Sequence, residues 1–312
     1  MIYLDNAATG GVKPETVRLA VAKALEQCAN PGRSGHTASV RCAEQVFRAR
    51  EALSRYFDGY GAERVAFTKN CTEALNIAIR SLRGHVVTTE LEHNSVLRPL
   101  LSRGNVSFCP ADGGGIDPYA LVRLVRRDTE AVILTLASNV TGYAPDFRLV
   151  RKLLPDRILL VCDGAQYCGH LPLSLRKSGI DALAVAGHKG MLGIQGSGAL
   201  LFSDRFHPVP VLYGGTGTES FSAEMPDYYP ERLEAGTLSY PAIVSLLAGT
   251  QYLEKHGEQD ESARSALLHR EMSKRRVFLY SAPNPFGILS FAHAEIGSEE
   301  FAALLSERYD IA

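Results

Sequence analysis

A lysine at the end of a short apolar segment is the residue of this sequence best suited to covalent chemistry. The run Ala182 to Ala186 is typical of a buried strand, and Gly187, His188 and Lys189 follow it directly. Desolvation at such a strand end disfavours the ammonium form and lowers the pKa of a lysine. A lysine with a lowered pKa is the kind of amine that forms Schiff bases. An isolated lysine there is more often a solvated loop residue, so the interpretation depends on the other strand ends.

Polar residues also follow two earlier apolar segments. Thr72 lies where the stretch Phe67 to Glu73 turns from a strand into a helix, so its hydroxyl and the free N–H groups of the helix start could bind a phosphate. The alternative for Thr72 is a plain helix N-cap. His93 follows the strand Val86 to Thr89 and could be a general base, a metal ligand or a ring that stacks on an aromatic cofactor. A histidine whose hydrogen bonds are satisfied within the fold is the commoner case.

Asp163 ends the apolar run Leu159 to Cys162. A carboxylate at such a strand end is costly unless it is paired, and the nitrogen of a pyridinium ring would pair with it and stay protonated as an electron sink. Gln166 follows shortly after and could donate to a ring hydroxyl, while the alternative for Asp163 is a helix N-cap. A phosphate site, a stacking ring, a carboxylate and a Schiff-base lysine together predict a site for pyridoxal 5′-phosphate.

Alternating strands and helices are expected to position these residues. Seven segments are strand candidates: residues 65–67, 86–89, 106–108, 131–136, 158–162, 182–186 and 199–202. Helical segments separate most of them, which predicts an α/β fold with a mostly parallel seven-stranded sheet and helices on both faces. The link between the last two strands is too short for a helical crossover, so we expect one antiparallel pair. Open parallel sheets bind ligands beyond the carboxyl ends of their strands, where these polar residues fall.

The sequence also predicts two domains of unequal size. Residues 14–250 form the large domain, which binds the cofactor. Residues 1–13 and 251–312 form a smaller α+β domain, which we expect to be incomplete. Within it, residues 277–280 and 287–291 are strand candidates.

Composition is that of an ordinary globular protein. The 312 residues are 46% hydrophobic and 21% charged, and the net charge of −1 gives no support to a nucleic-acid or acidic-membrane partner. No basic stretch followed by a long apolar run opens the sequence, and no run approaches the ~18 residues of a membrane span. The six cysteines form no Cys-x-x-Cys pair. This argues against a structural zinc site and for reduced thiols in the cytoplasm.

Seven stretches of the sequence resemble the class V aminotransferases, and within them the branch of cysteine desulfurases and selenocysteine lyases. They are Tyr3–Ala8, Thr72–Asn76, Glu92–Asn94, Ser138–Gly142, Asp163–Gln166, Gly187–Lys189 and Glu234–Thr237. They occur in the family's order. The resemblance implies the type I fold of pyridoxal-phosphate-dependent transferases, pyridoxal 5′-phosphate as the cofactor, and a homodimer with shared active sites.

For the residues already singled out, the resemblance implies definite roles. Lys189 would hold the cofactor as a Schiff base and move the α-proton, and His188 would contact the phosphate. Asp163 would pair with the ring nitrogen, and His93 would stack on the ring and help to move protons. The predicted catalytic residues are therefore Lys189, His93 and Asp163.

Further residues would bind the cofactor or the substrate. Gln166 and Asn139 would lie near the ring oxygen and the substrate carboxylate. Cys71 and Thr72 stand where the family often has two threonines at the phosphate. Cys71 would keep its backbone N–H there but offer a weaker side-chain donor. Thr216, in a glycine-rich segment, would reach the phosphate of the partner subunit.

The activity implied by the resemblance is conversion of L-cysteine, or a similar amino acid, to L-alanine. Sulfur would pass to an enzyme cysteine and on to a sulfur-acceptor protein. In such enzymes a substrate-binding arginine and the persulfide-forming cysteine follow a stretch that resembles Glu307–Ala312, where this sequence stops. Of the cysteines present, only Cys28 is expected near the substrate entrance. Two alternatives stay open: another class V enzyme (aminotransferase, epimerase or lyase), or a non-catalytic cofactor-binding dimer partner.

Overall fold

A seven-stranded sheet lies at the centre of the chain, which a computed structural model describes at residues 1–27, 29–219 and 221–312. Its strands are β1 (Val65–Thr68), β2 (His85–Thr89), β3 (Val106–Cys109), β4 (Thr129–Thr135), β5 (Leu159–Asp163), β6 (Ala182–Ala186) and β7 (Gly198–Phe202), and a separate sheet contains β8 (Val277–Leu279) and β9 (Phe291–His293). The order across the large sheet is β1-β7-β6-β5-β4-β2-β3. Strands β2 to β6 are parallel to one another, whereas β7 is antiparallel to both β6 and β1. The predicted mostly parallel sheet and its antiparallel β6–β7 pair are confirmed.

Helices cover both faces of this sheet, as predicted. They are α1 (Glu15–Glu26), α2 (Thr37–Tyr56), α3 (Cys71–Ser81), α4 (Asn94–Arg103), α5 (Pro118–Arg123), α6 (Phe147–Leu153), α7 (Leu175–Ser178), α8 (Tyr240–His256), α9 (Ser262–Met272) and α10 (Ser298–Tyr309). Buried residues of α3 and α4 pack on one face, and those of α2, α5, α6 and α8 pack on the other. Within the described residues, no helix is long and apolar enough to cross a lipid bilayer.

Successive side chains along a strand lie on opposite faces of the sheet, so a continuous apolar run needs helices on both faces. In β4, Ala131 and Ile133 lie in the core beneath α3 and α4, whereas Val132 and Leu134 lie in the core on the other face. All four side chains are fully buried. Burying a Val, Ile or Leu side chain stabilises a fold by roughly 1.5–3 kcal/mol, so a continuous apolar run of this kind favours a central strand covered on both sides.

The small sheet pairs β8 with β9 in antiparallel orientation. The predicted strand at residues 287–291 is wrong, because only its last residue belongs to β9. Asn284 accounts for the difference. Its side chain donates to the carbonyl of Ile288 and accepts from the N–H groups of Phe286 and Ile288. These bonds hold the segment in a turn instead of a strand.

The N-terminal segment contacts both the C-terminal end of the chain and the end of a central strand. Leu4 N–H donates to the carbonyl of Ala312, just after α10, at 2.6 Å. Gly10 N–H donates to the carbonyl of His188, just after β6, at 3.0 Å. The first ten residues therefore extend from the C-terminal residues after α10 to the end of β6. The division into domains 14–250 and 1–13 with 251–312 stays a prediction.

Candidate active site

A cavity of about 510 Å³ lies at the carboxyl ends of β4, β5 and β6. Its volume is within the range of small-molecule sites, roughly 300–1,000 Å³. Eight of the nine residues predicted to bind the cofactor line it: Cys71, Thr72, His93, Asn139, Asp163, Gln166, His188 and Lys189. The ninth, Thr216, lies in a loop outside this cavity, where its hydroxyl is 3.2 Å from that of Thr218.

Lys189 follows β6 in a tight turn. A Cβ atom at Gly187 would clash with Ser197 Oγ, so only glycine fits the close approach of these two segments. The Lys189 side chain is partly buried, and burial lowers its pKa while the carboxylate of Asp163 opposes the shift. The amine is therefore easier to deprotonate than that of a surface lysine, in the direction that the sequence predicts.

Donors from the N-terminal segment hold the turn beside Lys189. The carbonyl oxygen of His188 accepts from Lys13 Nζ at 2.7 Å and from Gly10 N–H at 3.0 Å, and Thr9 Oγ1 lies 2.9 Å from His188 Nδ1. Burial lowers the pKa of Lys13 to about 8. Burial, and then the charges of Lys189 and Lys13, lower the pKa of His188. Two lysines beside this imidazole favour an anion at this side of the cavity.

Asp163 ends β5 and is only 4% exposed. Its Oδ1 accepts from Ala165 N–H at 2.9 Å and from the Cys71 thiol at 3.4 Å. No residue that the structure describes donates to its Oδ2. The N-cap alternative is wrong, because a turn follows β5 and the next helix, α7, begins only at Leu175.

Thr72 lies in the first turn of α3. The N-cap of α3 is Asn70, whose side chain accepts from Glu73 N–H at 2.9 Å, so the interpretation of Thr72 as the cap is wrong. The Thr72 hydroxyl instead lies 2.8 Å from the hydroxyl of Ser95. The first N–H groups of a helix have no acceptor within it and favour a phosphate or another anion.

His93 is the N-cap of α4, and its ring is exposed. Its Nδ1 accepts from Ser95 N–H at 3.1 Å. One ring nitrogen is thus satisfied within the fold, which agrees with the commoner interpretation of such a histidine. The other nitrogen, Nε2, stays available to a ligand in the cavity that the ring lines.

Gln166 and Asn139 complete the predicted set. Gln166 Nε2 donates to the carbonyl of Ala7 at 2.9 Å, and its side chain is nearly buried. Asn139 is exposed in the cavity wall. Asp5 and Ala8 also line the cavity. The motif around these N-terminal residues was visible in the sequence, but only the fold shows that it contributes to the site.

Glu92 is a buried carboxyl group beside the cavity that sequence reasoning missed. Its Oε1 accepts from Thr89 Oγ1 at 2.8 Å and from Thr135 N–H at 3.0 Å, so it joins the ends of β2 and β4. Its Oε2 is buried without a hydrogen-bond partner. Burial raises the pKa of Glu92 from 4.5 to about 8, although both hydrogen bonds oppose the shift.

The described cysteines are free and buried: Cys42, Cys71, Cys109, Cys162 and Cys168. Burial raises the pKa of Cys162 and Cys168. Cys28, the one cysteine predicted near the substrate entrance, lies outside the described residues.

These side chains fit pyridoxal 5′-phosphate. Asp163 Oδ2, to which no described residue donates a hydrogen bond, suits a protonated ring nitrogen, since a nearly buried carboxylate is costly without a partner. The start of α3 at Thr72 suits a phosphate, and Lys189 provides an amine of lowered pKa in the same cavity. The donor set therefore matches a ring nitrogen, a phosphate and an aldehyde.

Comparison with known proteins agrees with this arrangement. The family model for class-V aminotransferases matches residues 2–312. The chain belongs to the class-V aminotransferase family. Members of this family are pyridoxal-phosphate-dependent enzymes, and the resemblance noted in the sequence is confirmed.

Several similar proteins bear the name cysteine desulfurase. A "Probable cysteine desulfurase" of Methanothermobacter thermautotrophicus is 30% identical over 326 residues, which cover 98% of this chain and 81% of that protein. The apo structure of a cysteine desulfurase from Thermococcus onnurineus NA1 superposes with a TM-score of 0.87 at 27% identity, over 98% of this chain and 82% of that chain. The cysteine desulfurase CsdA from Escherichia coli superposes with a TM-score of 0.86 at 25% identity, over 99% and 83%. The fold is therefore the type I fold that the sequence predicts.

Proposed function

We propose that this chain is a pyridoxal-phosphate-dependent enzyme of the cysteine desulfurase type, which converts L-cysteine to L-alanine and passes the sulfur to a cysteine thiol. One observation carries the proposal. Lys189 and Asp163 line the same cavity, the first with an amine of lowered pKa and the second with an oxygen, Oδ2, to which no described residue donates a hydrogen bond. The family and the cysteine desulfurases among its relatives support this choice of reaction.

Different residues act at the two ends of the ligand, the ring and the phosphate. When bound, the cofactor supplies an electron sink next to the substrate α-carbon. Lys189 Nζ would hold the cofactor and then take a proton from that carbon, and its lowered pKa makes the neutral amine easier to reach. Asp163 Oδ2 would pair with the ring nitrogen and keep it protonated, and His93 would stack on the ring.

The phosphate end would be held by neutral donors, with the positive charges of two lysines nearby. The Thr72 hydroxyl and the first N–H groups of α3 bind phosphate oxygens. His188 adds a donor on the side where Lys13 and Lys189 contribute positive charge. Gln166 and Asn139 remain for the ring oxygen and the substrate carboxylate.

Sulfur transfer needs a thiolate, because the thiol form is a poor nucleophile. Burial raises the pKa of Cys71, Cys109, Cys162 and Cys168, so these side chains stay protonated thiols. We therefore propose that the sulfur acceptor is a different cysteine, one with a lower pKa. A sulfur-acceptor protein would receive the sulfur next.

A homodimer in the cytoplasm is the form that we propose for the enzyme. Thr216 lies outside the cavity of its own chain, and the aromatic side chains of Tyr213 and Phe221 near it are strongly exposed. A loop of this kind suits contact with a second copy. The free thiols support a reducing compartment.

The proposal is tested by giving the purified chain pyridoxal 5′-phosphate, L-cysteine and dithiothreitol, whose thiolate receives the sulfur. We expect alanine from the wild type and none from Lys189→Ala, while Lys177→Ala, an exposed lysine on α7, behaves as the wild type. Borohydride reduction followed by peptide mass spectrometry should find the cofactor attached to Lys189. Wild-type protein that binds no cofactor would reject the proposal. Cofactor binding without alanine would reject the reaction alone.

A further inference from the structure

The hydroxyl of Ser95 lies between two residues of the candidate site. Its Oγ is 2.8 Å from Thr72 Oγ1 and 2.9 Å from His93 Nδ1. The backbone N–H of the same residue donates to His93 Nδ1 at 3.1 Å. Ser95 therefore contacts, within one cavity wall, the threonine at the phosphate end and the histidine at the ring.

The chemistry of the donors limits the directions of these bonds. A backbone N–H can only donate, so His93 Nδ1 is an acceptor, and the proton of the neutral imidazole is on Nε2. When an anion accepts the Thr72 hydrogen, Thr72 Oγ1 is left as an acceptor for the Ser95 hydroxyl. The single hydroxyl proton of Ser95 then turns from His93 Nδ1 to Thr72 Oγ1, so the hydrogen bonds run from Ser95 to Thr72 and from Thr72 to the anion. His93 Nδ1 keeps only the bond from the backbone N–H of Ser95.

Ser95 links the two helices α3 and α4 as well as two side chains. Thr72 is the second residue of α3 and Ser95 the second residue of α4, and these two helices pack against each other. Both helices start at the cavity, where their N-terminal ends favour negative charge. A bond between the two starts keeps them at a fixed distance from a shared ligand.

We propose that Ser95 is a positioning residue that couples the phosphate-binding hydroxyl of Thr72 to His93. The inference rests on the proposed function, because the ligand it concerns is the phosphate of the cofactor. It extends that function to a residue that the family resemblance did not single out. The N-cap bond is made by the backbone of Ser95 and survives any side chain except proline, so Ser95→Ala removes the coupling and little else.

Calorimetric titration of four proteins tests the coupling: the wild type, Ser95→Ala, Thr72→Val and the double variant. Losing one neutral hydrogen bond should weaken pyridoxal 5′-phosphate binding by about 3- to 10-fold in Ser95→Ala. Pyridoxal, which lacks the phosphate, should bind Ser95→Ala as tightly as it binds the wild type. In the Thr72→Val background, Ser95→Ala should have no further effect. Ser102→Ala, on the exposed side of the same helix, is the matched control and should change neither affinity.

A second measurement needs no bound cofactor. In ¹⁵N-labelled protein, inorganic phosphate should shift the Nδ1 signal of His93 in the wild type and leave it unchanged in Ser95→Ala. Equal cofactor affinities of Ser95→Ala and the wild type, or additive losses in the double variant, would overturn the inference and leave the proposed function standing. If the wild type binds neither the cofactor nor phosphate, the inference and the proposed function fail together.

Discussion

The two oxygens of Asp163 have different environments, although the side chain is almost fully buried. Oδ1 accepts from the backbone at Ala165 and from the Cys71 thiol, whereas no described residue donates to Oδ2. Cys71, which stands where the family often has a threonine, thus contacts the carboxylate with its side chain. Its thiol orients Asp163, and only its backbone N–H remains for a phosphate. A weak neutral donor of this kind fixes the carboxylate without removing its charge.

Asp163→Asn tests whether that charge is used. The amide keeps the shape of the side chain but replaces a charge-assisted contact with the ring nitrogen by a neutral one. We expect alanine formation from L-cysteine to fall by roughly 10- to 160-fold, since hydrogen bonds to charged groups contribute about 1.5–3 kcal/mol. Cofactor affinity, measured by titration, should fall less than turnover. Unchanged turnover would mean that the carboxylate only supports the turn at Ala165.

At the scale of elements, Glu92 joins two strand ends that form the cavity wall. It is buried between Thr89 at the end of β2 and Thr135 at the end of β4, and it directly precedes His93. With burial raising its pKa to about 8, the side chain is mostly a neutral carboxylic acid at pH 7. The link between the strands therefore does not need a charge.

Glu92→Gln should change how stability depends on pH. Between pH 4.5 and about 8 the folded chain holds a proton on Glu92 and the unfolded chain does not. Rising pH across this window therefore lowers the contribution of Glu92 to the free energy of unfolding, by up to about 1.4 kcal/mol per pH unit. Glutamine cannot titrate, so the variant should gain stability relative to the wild type as pH rises. Urea unfolding at about pH 5 and about pH 8 measures the difference, and an identical difference at both would contradict the assignment.

Local patterns predicted the elements well where burial alone decides the structure. Strands β4, β5 and β6 contain continuous apolar runs, and several site residues follow such runs, so much of the candidate site could be found from strand ends. The pattern failed at residues 287–291, where hydrogen bonds from Asn284 override strand propensity. It also missed Ser95 and Lys13, whose roles depend on contacts with segments distant in sequence. Periodicity does not report such contacts.

At the scale of the whole molecule, the cavity of one chain contains all of the predicted cofactor-binding residues except one. Lys189 and seven other predicted residues meet in the cavity, whereas Thr216 lies in a loop elsewhere. Exposed aromatic residues flank this loop at Tyr213 and Phe221. If the loop serves the site of a second copy, each complete site consists of two chains.

Mixing two defective variants tests this composite site. Lys189→Ala lacks the amine, and Thr216→Val lacks the hydroxyl that we expect to reach the partner's phosphate. When equal amounts are unfolded together and refolded, half of the dimers should contain one chain of each kind, and each such dimer should have one complete site. Titration should then find wild-type cofactor affinity and borohydride-stable attachment at about one quarter of all sites.

The same two variants mixed without unfolding provide the control, because without exchange of subunits no tight sites should form. Size-exclusion chromatography with light scattering should show the mass of two chains for each protein. If refolding yields no tight sites beyond those of Thr216→Val alone, the loop does not serve a partner's site. Thr216→Val that binds the cofactor as tightly as the wild type would contradict the assignment at its first step, because the hydroxyl would then contact no phosphate in either chain.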